Sequence, residues 1–172
     1  MAKKKITPEL EEAILNLPQK EKNKLLIRLV NKDSLLTEQL QYRLLENTEA
    51  DLRYRILDIK ESIDAAFGTQ RMPLKDILSH TREKVGLINR FAKVTKDKQG
   101  ELELLIHLFL ASNAAFDQHR VTLRDFLLKT KYKQYGSSKT EKMKLLLDVL
   151  HEDYRIEFEE DLAQIINAIN AI

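Results

Sequence analysis

The residues from 131 to 144, KYKQYGSSKTEKMK, combine five lysines and two tyrosines around a Gly-Ser-Ser triplet. Lysine ammonium groups neutralise phosphates and tyrosine rings stack on unpaired bases, so this composition suits single-stranded nucleic acid. Further basic residues extend the stretch toward the N-terminus. The candidate polyanion-binding residues are Arg120, Arg124, Lys129, Lys131, Tyr132, Lys133, Tyr135, Lys139, Lys142 and Lys144.

The distribution of charge allows a second interpretation of the same stretch. Residues 120–144 hold eight basic and two acidic residues, a net charge of +6, whereas residues 145–161 hold seven acidic and one basic, a net charge of −6. The whole chain carries only +2, which is mild for a dedicated nucleic-acid-binding protein. If the two blocks lie on neighbouring helices, their charges partly cancel and the lysine stems cover apolar surface. Residues 131–144 would then form a charged turn between two helices.

His107 is an ionisable side chain inside the apolar run LLIHLFL, and Glu103 precedes it by one helical turn. A buried histidine needs a hydrogen-bond partner or it loses its proton easily. Glu103 and His107 are therefore a candidate buried ionisable pair, although a hydrogen-bonded histidine at the edge of the core is the simpler interpretation. A ferritin-like di-iron site needs Glu-x-x-His on two helices, and that motif does not occur. We expect no metal and no cofactor.

Other catalytic signatures are missing from the sequence. There is no cysteine, which excludes disulfides, thiolate nucleophiles and cysteine-ligated metals. There is also no Gly-x-Ser-x-Gly elbow, no glycine-rich phosphate loop and no Gly-x-Gly-x-x-Gly fingerprint. We therefore expect a protein that is not an enzyme. The favoured function is a helical protein–protein interaction or adaptor module, and the alternative is a nucleic-acid-binding protein that uses residues 120–144.

The elements that must position these residues are helices. Leu, Lys, Glu, Ala and Gln dominate the chain, and only four glycines and three prolines interrupt it, which predicts an all-α protein. A flexible basic N-terminus over residues 1–6 would precede one domain over 7–172, built of seven to nine antiparallel helices as a HEAT-like short solenoid or a bundle. No signal peptide and no long apolar run are present, so we expect a cytoplasmic protein without membrane contact.

Capping residues and prolines predict where the helices begin. Residues 101–116 are apolar nearly all round, which indicates a central helix covered on several sides. Within the helix that precedes it, Gly86 predicts close packing at that point. An apolar stripe runs from Met143 to Ile169, with a break expected near His151. The predicted starts are Thr7-Pro8, Pro18, Asp33 or Ser34, Thr48, Pro73, Glu101, Thr122 and Ser138.

The C-terminal residues 162–172, LAQIINAINAI, are apolar on one side. They are expected to pack on the core of their own chain. A second possibility is that this helix pairs with its symmetry mate, so the predicted state is a monomer or a homodimer through the C-terminal helix.

Residues 18–33 align without gaps on residues 138–153, with six identities at an offset of 120. Three units of about 40 residues would fill that offset, a spacing close to that of HEAT repeats. The helix pair in residues 17–46, LPQKEKNKLLIRLVNKDSLLTEQLQYRLLE, resembles segments of uncharacterised bacterial all-helical proteins with HEAT-like units. This resemblance covers about the first 65 residues. It implies a helical scaffold and carries over no catalytic residue.

Overall fold

The computed structural model describes residues 6–46, 48–68, 72–118 and 125–172. These residues form eight α helices and no strand, which confirms the all-α prediction. None of the helices in the described ranges is long and apolar enough to cross a membrane. The helices are α1 (Pro8–Leu15), α2 (Gln19–Val30), α3 (Ser34–Leu45), α4 (Glu49–Phe67), α5 (Leu74–Thr95), α6 (Lys98–Asp117), α7 (Phe126–Asp148) and α8 (Glu152–Ala171).

Contacts within the chain group it into two compact units, Met1–Leu45 and Glu46–Ile172. We call them the N-terminal unit and the C-terminal unit and describe each by itself. The prediction of one domain over residues 7–172 stays a prediction.

The three helices of the N-terminal unit begin where the capping signals place them. The Thr7 hydroxyl accepts a hydrogen bond from the Leu10 backbone N–H at 3.4 Å, and Pro8 is the first residue of α1. Asp33 precedes α3 and accepts from the backbone N–H groups of Leu35 and Leu36 at 2.9 and 3.1 Å. These contacts satisfy backbone donors that a helix leaves without partners in its first turn. None of the described residues of this unit is buried.

The C-terminal unit is organised around α6, which packs against α4, α5, α7 and α8. Its side chains are buried on several sides, as the apolar sequence of this segment predicts. The N-cap of α6 is Asp97, so the helix begins three residues earlier than expected. Helix α4 begins with a complete capping box between Thr48 and Asp51.

Helix α7 runs without interruption through the Gly-Ser-Ser triplet at 136–138. The predictions of a turn at this triplet and of a helix start at Ser138 are therefore wrong. Gly136 is buried, and a Cβ atom on it would lie 2.7 Å from Cδ1 of Ile169 in α8. The glycine thus allows α7 and α8 to pack closely, which is a requirement of tertiary structure and not of a turn. The predicted start at Thr122 lies outside the described residues.

The expected break near His151 is confirmed, because α7 ends at Asp148 and His151 is the N-cap of α8. Helix α8 buries its apolar side in the core of its own unit. The homodimer through this helix stays a prediction. The sequence match of 18–33 with 138–153 pairs the start of α2 with the interior of α7, so the two segments do not occupy equivalent positions in their helices.

Candidate functional site

Of the ten candidate polyanion-binding residues, those in the described part of α7 do not share one face. The Lys133 ammonium group donates a hydrogen bond to the backbone carbonyl of Asn170 in α8 at 2.9 Å. Lys144 lies on the same side of α7 as Lys133, eleven residues or about three turns later, and its ammonium group pairs with the Glu141 carboxylate at 2.7 Å. Lys129 is half-buried. Arg120 and Arg124 lie outside the described residues.

Tyr132 is not available to a ligand, because its side chain is fully buried. Its hydroxyl oxygen lies 2.8 Å from Oγ of Ser112 and 2.9 Å from Oδ1 of Asn113, and its ring stacks on Phe116 at a centroid distance of 5.1 Å. Burial raises the pKa of the Tyr132 phenol well above its ordinary value. The prediction that this ring stacks on a base is wrong, since the ring is part of the core.

Lys142 connects three helices of the C-terminal unit. Its ammonium group lies 2.5 Å from Oε1 of Glu101 in α6 and 3.0 Å from Oδ1 of Asn89 in α5. The Glu101 side chain is only 11% exposed, so its carboxylate depends on this lysine for compensation. The contacts assign Lys142 a structural role between α5, α6 and α7.

Two cations meet one aromatic ring where α5 lies beside α7. The guanidinium carbon of Arg82 is 5.3 Å from the centroid of the Tyr135 ring, and the Lys139 ammonium nitrogen is 5.2 Å from it. Both distances lie in the range of cation–π interactions. Burial raises the pKa of the Tyr135 hydroxyl, and the charge of Arg82 partly opposes this shift. Arg82 was not among the predicted residues, because its proximity to Tyr135 depends on how two distant helices pack.

The two helices run parallel at this point, since both contacts between them join residues 53 positions apart: Arg82 with Tyr135, and Asn89 with Lys142. Neither Arg82 nor Lys139 has a carboxylate within ion-pair distance among the residues that the structure describes. Gly86 lies on the same side of α5, one turn after Arg82, and is exposed. A Cβ on it would meet nothing within 4 Å, so the prediction of close packing at Gly86 is wrong.

Glu103 and His107 do not form the predicted buried pair. His107 Nε2 lies 2.7 Å from Oδ1 of Asp64, and Glu103 binds Lys60 at 2.8 Å. The side chains of Glu103 and His107 are 19% and 31% exposed, respectively. Each therefore connects α6 to α4 through its own partner, because α4 offers a base and an acid at successive turns along this face. In the described ranges, no group of three or more potential ligands is placed to hold a metal ion.

A depression of about 240 Å³ lies at the N-terminal ends of α4 and α6, and Glu49, Arg53, Asp97, Glu103 and Tyr154 contribute to its lining. Asp97 caps α6, since its carboxylate accepts from the backbone N–H groups at 99 and 100 at 3.1 and 3.0 Å. Glu103 is held by its lysine partner. His107 does not line this depression. Two carboxylates of the lining, those of Asp97 and Glu103, therefore have structural roles as a helix cap and an ion-pair partner.

The N-terminal unit exposes an unusual amount of apolar surface for its length. Within α2, the side chains of Leu26 and Ile27 are 58% and 62% exposed. None of the described residues of this unit is buried, so these large apolar side chains form a candidate docking surface. The exposed set in this unit is Ile6, Leu10, Ile14, Leu15, Leu26, Ile27, Leu29, Leu44 and Leu45.

The described N-terminal unit also separates its charges by helix. Helix α1 has three glutamates and no base, whereas α2 has three lysines and one arginine against a single glutamate. On α2 the basic side chains of Lys20, Lys24 and Arg28 follow a row at intervals of four residues. This row lies beside Ile27 and on the side of α2 opposite Leu26 and Leu29.

Comparisons of this chain with protein-family models, with curated proteins and with solved structures give no match.

Proposed function

We propose that this protein is a protein-interaction module whose N-terminal unit docks on another protein. The observation that carries the proposal is that the described residues 6–45 include three helices with large exposed apolar side chains and no buried residue. A folded segment without a core of its own reaches a stable state by covering its apolar side chains with another surface.

The length of the helices supports the same conclusion. Helices α1, α2 and α3 have 8, 12 and 12 residues. Isolated helices shorter than about 12–15 residues are marginal in water, and tertiary packing supplies most of their stability. Docking would therefore order this unit as well as bind it.

The chemistry of α2 indicates what the partner surface offers. Leu26, Ile27 and Leu29 are each at least half exposed, and covering them fully would contribute about 3–4 kcal/mol of binding free energy. The basic row lies on the opposite side of α2 from Leu26 and Leu29, so it would stay in water when these two leucines dock. We therefore propose helix-in-groove docking of α2 through Leu26 and Leu29 on an apolar groove of another protein.

The experiment is a quantitative affinity purification of the tagged full chain from its host cells, with two matched variants. Leu26→Ser/Leu29→Ser removes apolar surface, whereas Glu21→Ser/Lys24→Ser changes the polar side of the same helix. Both variants place two serines in α2 and leave the net charge of the chain unchanged. Thermal unfolding of each variant confirms that the C-terminal unit is unaffected.

We expect a partner recovered with the wild type and with Glu21→Ser/Lys24→Ser, and a loss of about 30–100-fold in affinity for the apolar variant. Equal recovery with both variants would show that α2 is not the docking helix. The proposal would be refuted if no recovered protein bound less tightly after Leu26 and Leu29 are replaced.

A further inference from the structure

Within the C-terminal unit, the surface where α5 and α7 run side by side is basic. We call it the α5–α7 groove and define it by Arg82 and Gly86 on α5 and by Lys131, Tyr135 and Lys139 on α7. Its charged members lie at successive turns: Lys131, then the level of Arg82 and Tyr135, then Lys139. Adjacent levels are therefore about 6 Å apart along the helices.

The cations of this groove are not neutralised by the protein. Arg82 and Lys139 have no carboxylate partner in the part of the chain that the structure describes, and both converge on the Tyr135 ring. One acidic side chain each of α5, α7 and α6 has another partner. Glu83 pairs with Lys84, Glu141 with Lys144, and Glu101 with Lys142. Two like charges held over one ring leave an unbalanced positive field at the groove, and an anion would balance it.

Gly86 leaves open space beside these cations. Glycine within a helix lowers helix stability relative to alanine, and Gly86 lies in the interior of the 22-residue helix α5. No packing contact explains it, since a Cβ at this position would meet no atom within 4 Å. Residues of α5 and α7 that lie side by side are 53 positions apart, so Gly86 lies at the level of Lys139. The open space at Gly86 is therefore next to the Lys139 position.

From this arrangement we infer that the α5–α7 groove binds the phosphates of a single-stranded nucleic acid. Arg82 and Lys139 would each contact a phosphate, and the absence of a side chain at Gly86 would let the strand lie against the helix. Packed helices are about 8–10 Å apart, so a groove between two of them suits a flexible single strand better than a rigid duplex. The α5–α7 groove keeps Lys131, Tyr135 and Lys139 from the residues predicted on the sequence and adds Arg82 and Gly86 of α5.

The test is fluorescence anisotropy of the purified full chain with labelled 15-nucleotide oligo(dT) and oligo(rU), in a salt series that starts at low ionic strength. The test variant is Arg82→Gln/Lys139→Gln. The matched control is Lys133→Gln/Lys144→Gln, which removes two positive charges from the other side of α7. A third variant, Gly86→Leu, changes no charge and fills the groove, and thermal unfolding confirms that it is folded.

We expect the wild type to bind, with Arg82→Gln/Lys139→Gln weakening binding by about tenfold or more and reducing the slope of log affinity against log salt by about 1.4. The control should lose less than about threefold, and Gly86→Leu should weaken binding without changing the salt slope. Equal losses in the test and control variants would reduce the effect to net charge and overturn the inference. So would the absence of wild-type binding at low salt, or tighter binding of a duplex of the same length.

Discussion

Replacing Lys142 by methionine should destabilise the C-terminal unit strongly, although the side chain lies partly at the surface. Methionine keeps most of the aliphatic stem and removes the ammonium group that compensates Glu101. The Glu101 side chain is 11% exposed and that of Lys142 is 34% exposed, so the carboxylate would be left buried while the lysine position reaches water. The substitution therefore isolates the free energy of an uncompensated buried charge.

Breaking a fully buried ion pair by removing one partner costs about 3–5 kcal/mol. Because Lys142 is one-third exposed, we expect a smaller loss for Lys142→Met, about 2–3 kcal/mol in the free energy of unfolding. Glu101→Gln should cost less, since the lysine it leaves can turn toward water and keep its hydrogen bond to Asn89. The double variant Glu101→Gln/Lys142→Met should recover at least about 1 kcal/mol relative to Lys142→Met alone.

The assay is urea unfolding followed by far-ultraviolet circular dichroism, with Lys131→Met as the control. Lys131 is exposed on the same helix, so the same chemical change there should stay within about 0.5 kcal/mol of the wild type. A Lys142→Met protein as stable as Lys131→Met would refute the conclusion that Lys142 compensates a buried carboxylate. Reversing the charge of Lys142 in a nucleic-acid binding test would therefore confound loss of binding with unfolding.

Three further predictions concern the C-terminal unit. Ser138→Pro should destabilise it by about 3 kcal/mol or more, since residue 138 lies inside α7, and a tolerated proline in thermal unfolding would restore the predicted turn. Gly86→Ala should raise the free energy of unfolding by up to about 1 kcal/mol, because a Cβ there meets no other atom. Gly136→Ala should be neutral or lower it by about 1–2 kcal/mol, because its Cβ would displace Ile169. Equal shifts of the two variants in chemical denaturation would contradict this contrast. Tyr132→Phe should cost about 1–2 kcal/mol near neutral pH by leaving Ser112 and Asn113 without their partner. The pKa of Tyr132 is raised in the folded state, so wild-type stability should fall as the pH rises above about 10, where the unfolded phenol ionises, and the deficit of Tyr132→Phe should shrink there.

The features of this fold that depend on local sequence could be predicted. Thr48 with Asp51 forms a capping box because both partners lie within one turn, and the apolar surroundings of α6 are visible in a single segment. The segment break at His151 follows from the same kind of short-range signal.

The features that depend on distant residues could not be predicted. The Gly-Ser-Ser triplet has the composition of a turn, and only the proximity of Ile169 explains a glycine inside α7. Tyr132 alternates with lysines in the sequence, yet it is buried because Ser112 and Asn113 of α6 satisfy its hydroxyl. A charged stretch therefore contains a core residue that no local pattern distinguishes.

The candidate site shows the same division. Lys139 and Tyr135 were identified from composition, but Arg82 lies 53 residues before Tyr135 and enters the α5–α7 groove only through the parallel packing of two helices. In the sequence, Lys142 is indistinguishable from the other lysines of residues 131–144. In the structure, it forms an ion pair with Glu101, which lies 41 residues earlier in the chain. A lysine in a basic run can serve binding or structure, and its tertiary partner decides between them.

Site-specific photo-crosslinking at Leu26 would test the central claim most directly, which is that the N-terminal unit docks on another protein through the apolar side of α2. A photoreactive residue would replace Leu26, 58% exposed on that side, or Lys24, which lies two residues away and about 200° around the helix. Irradiation in host cells should give a discrete adduct with another protein from position 26 and little from position 24. Equal adducts from both positions, or crosslinks confined to the chain itself at position 26, would contradict the claim.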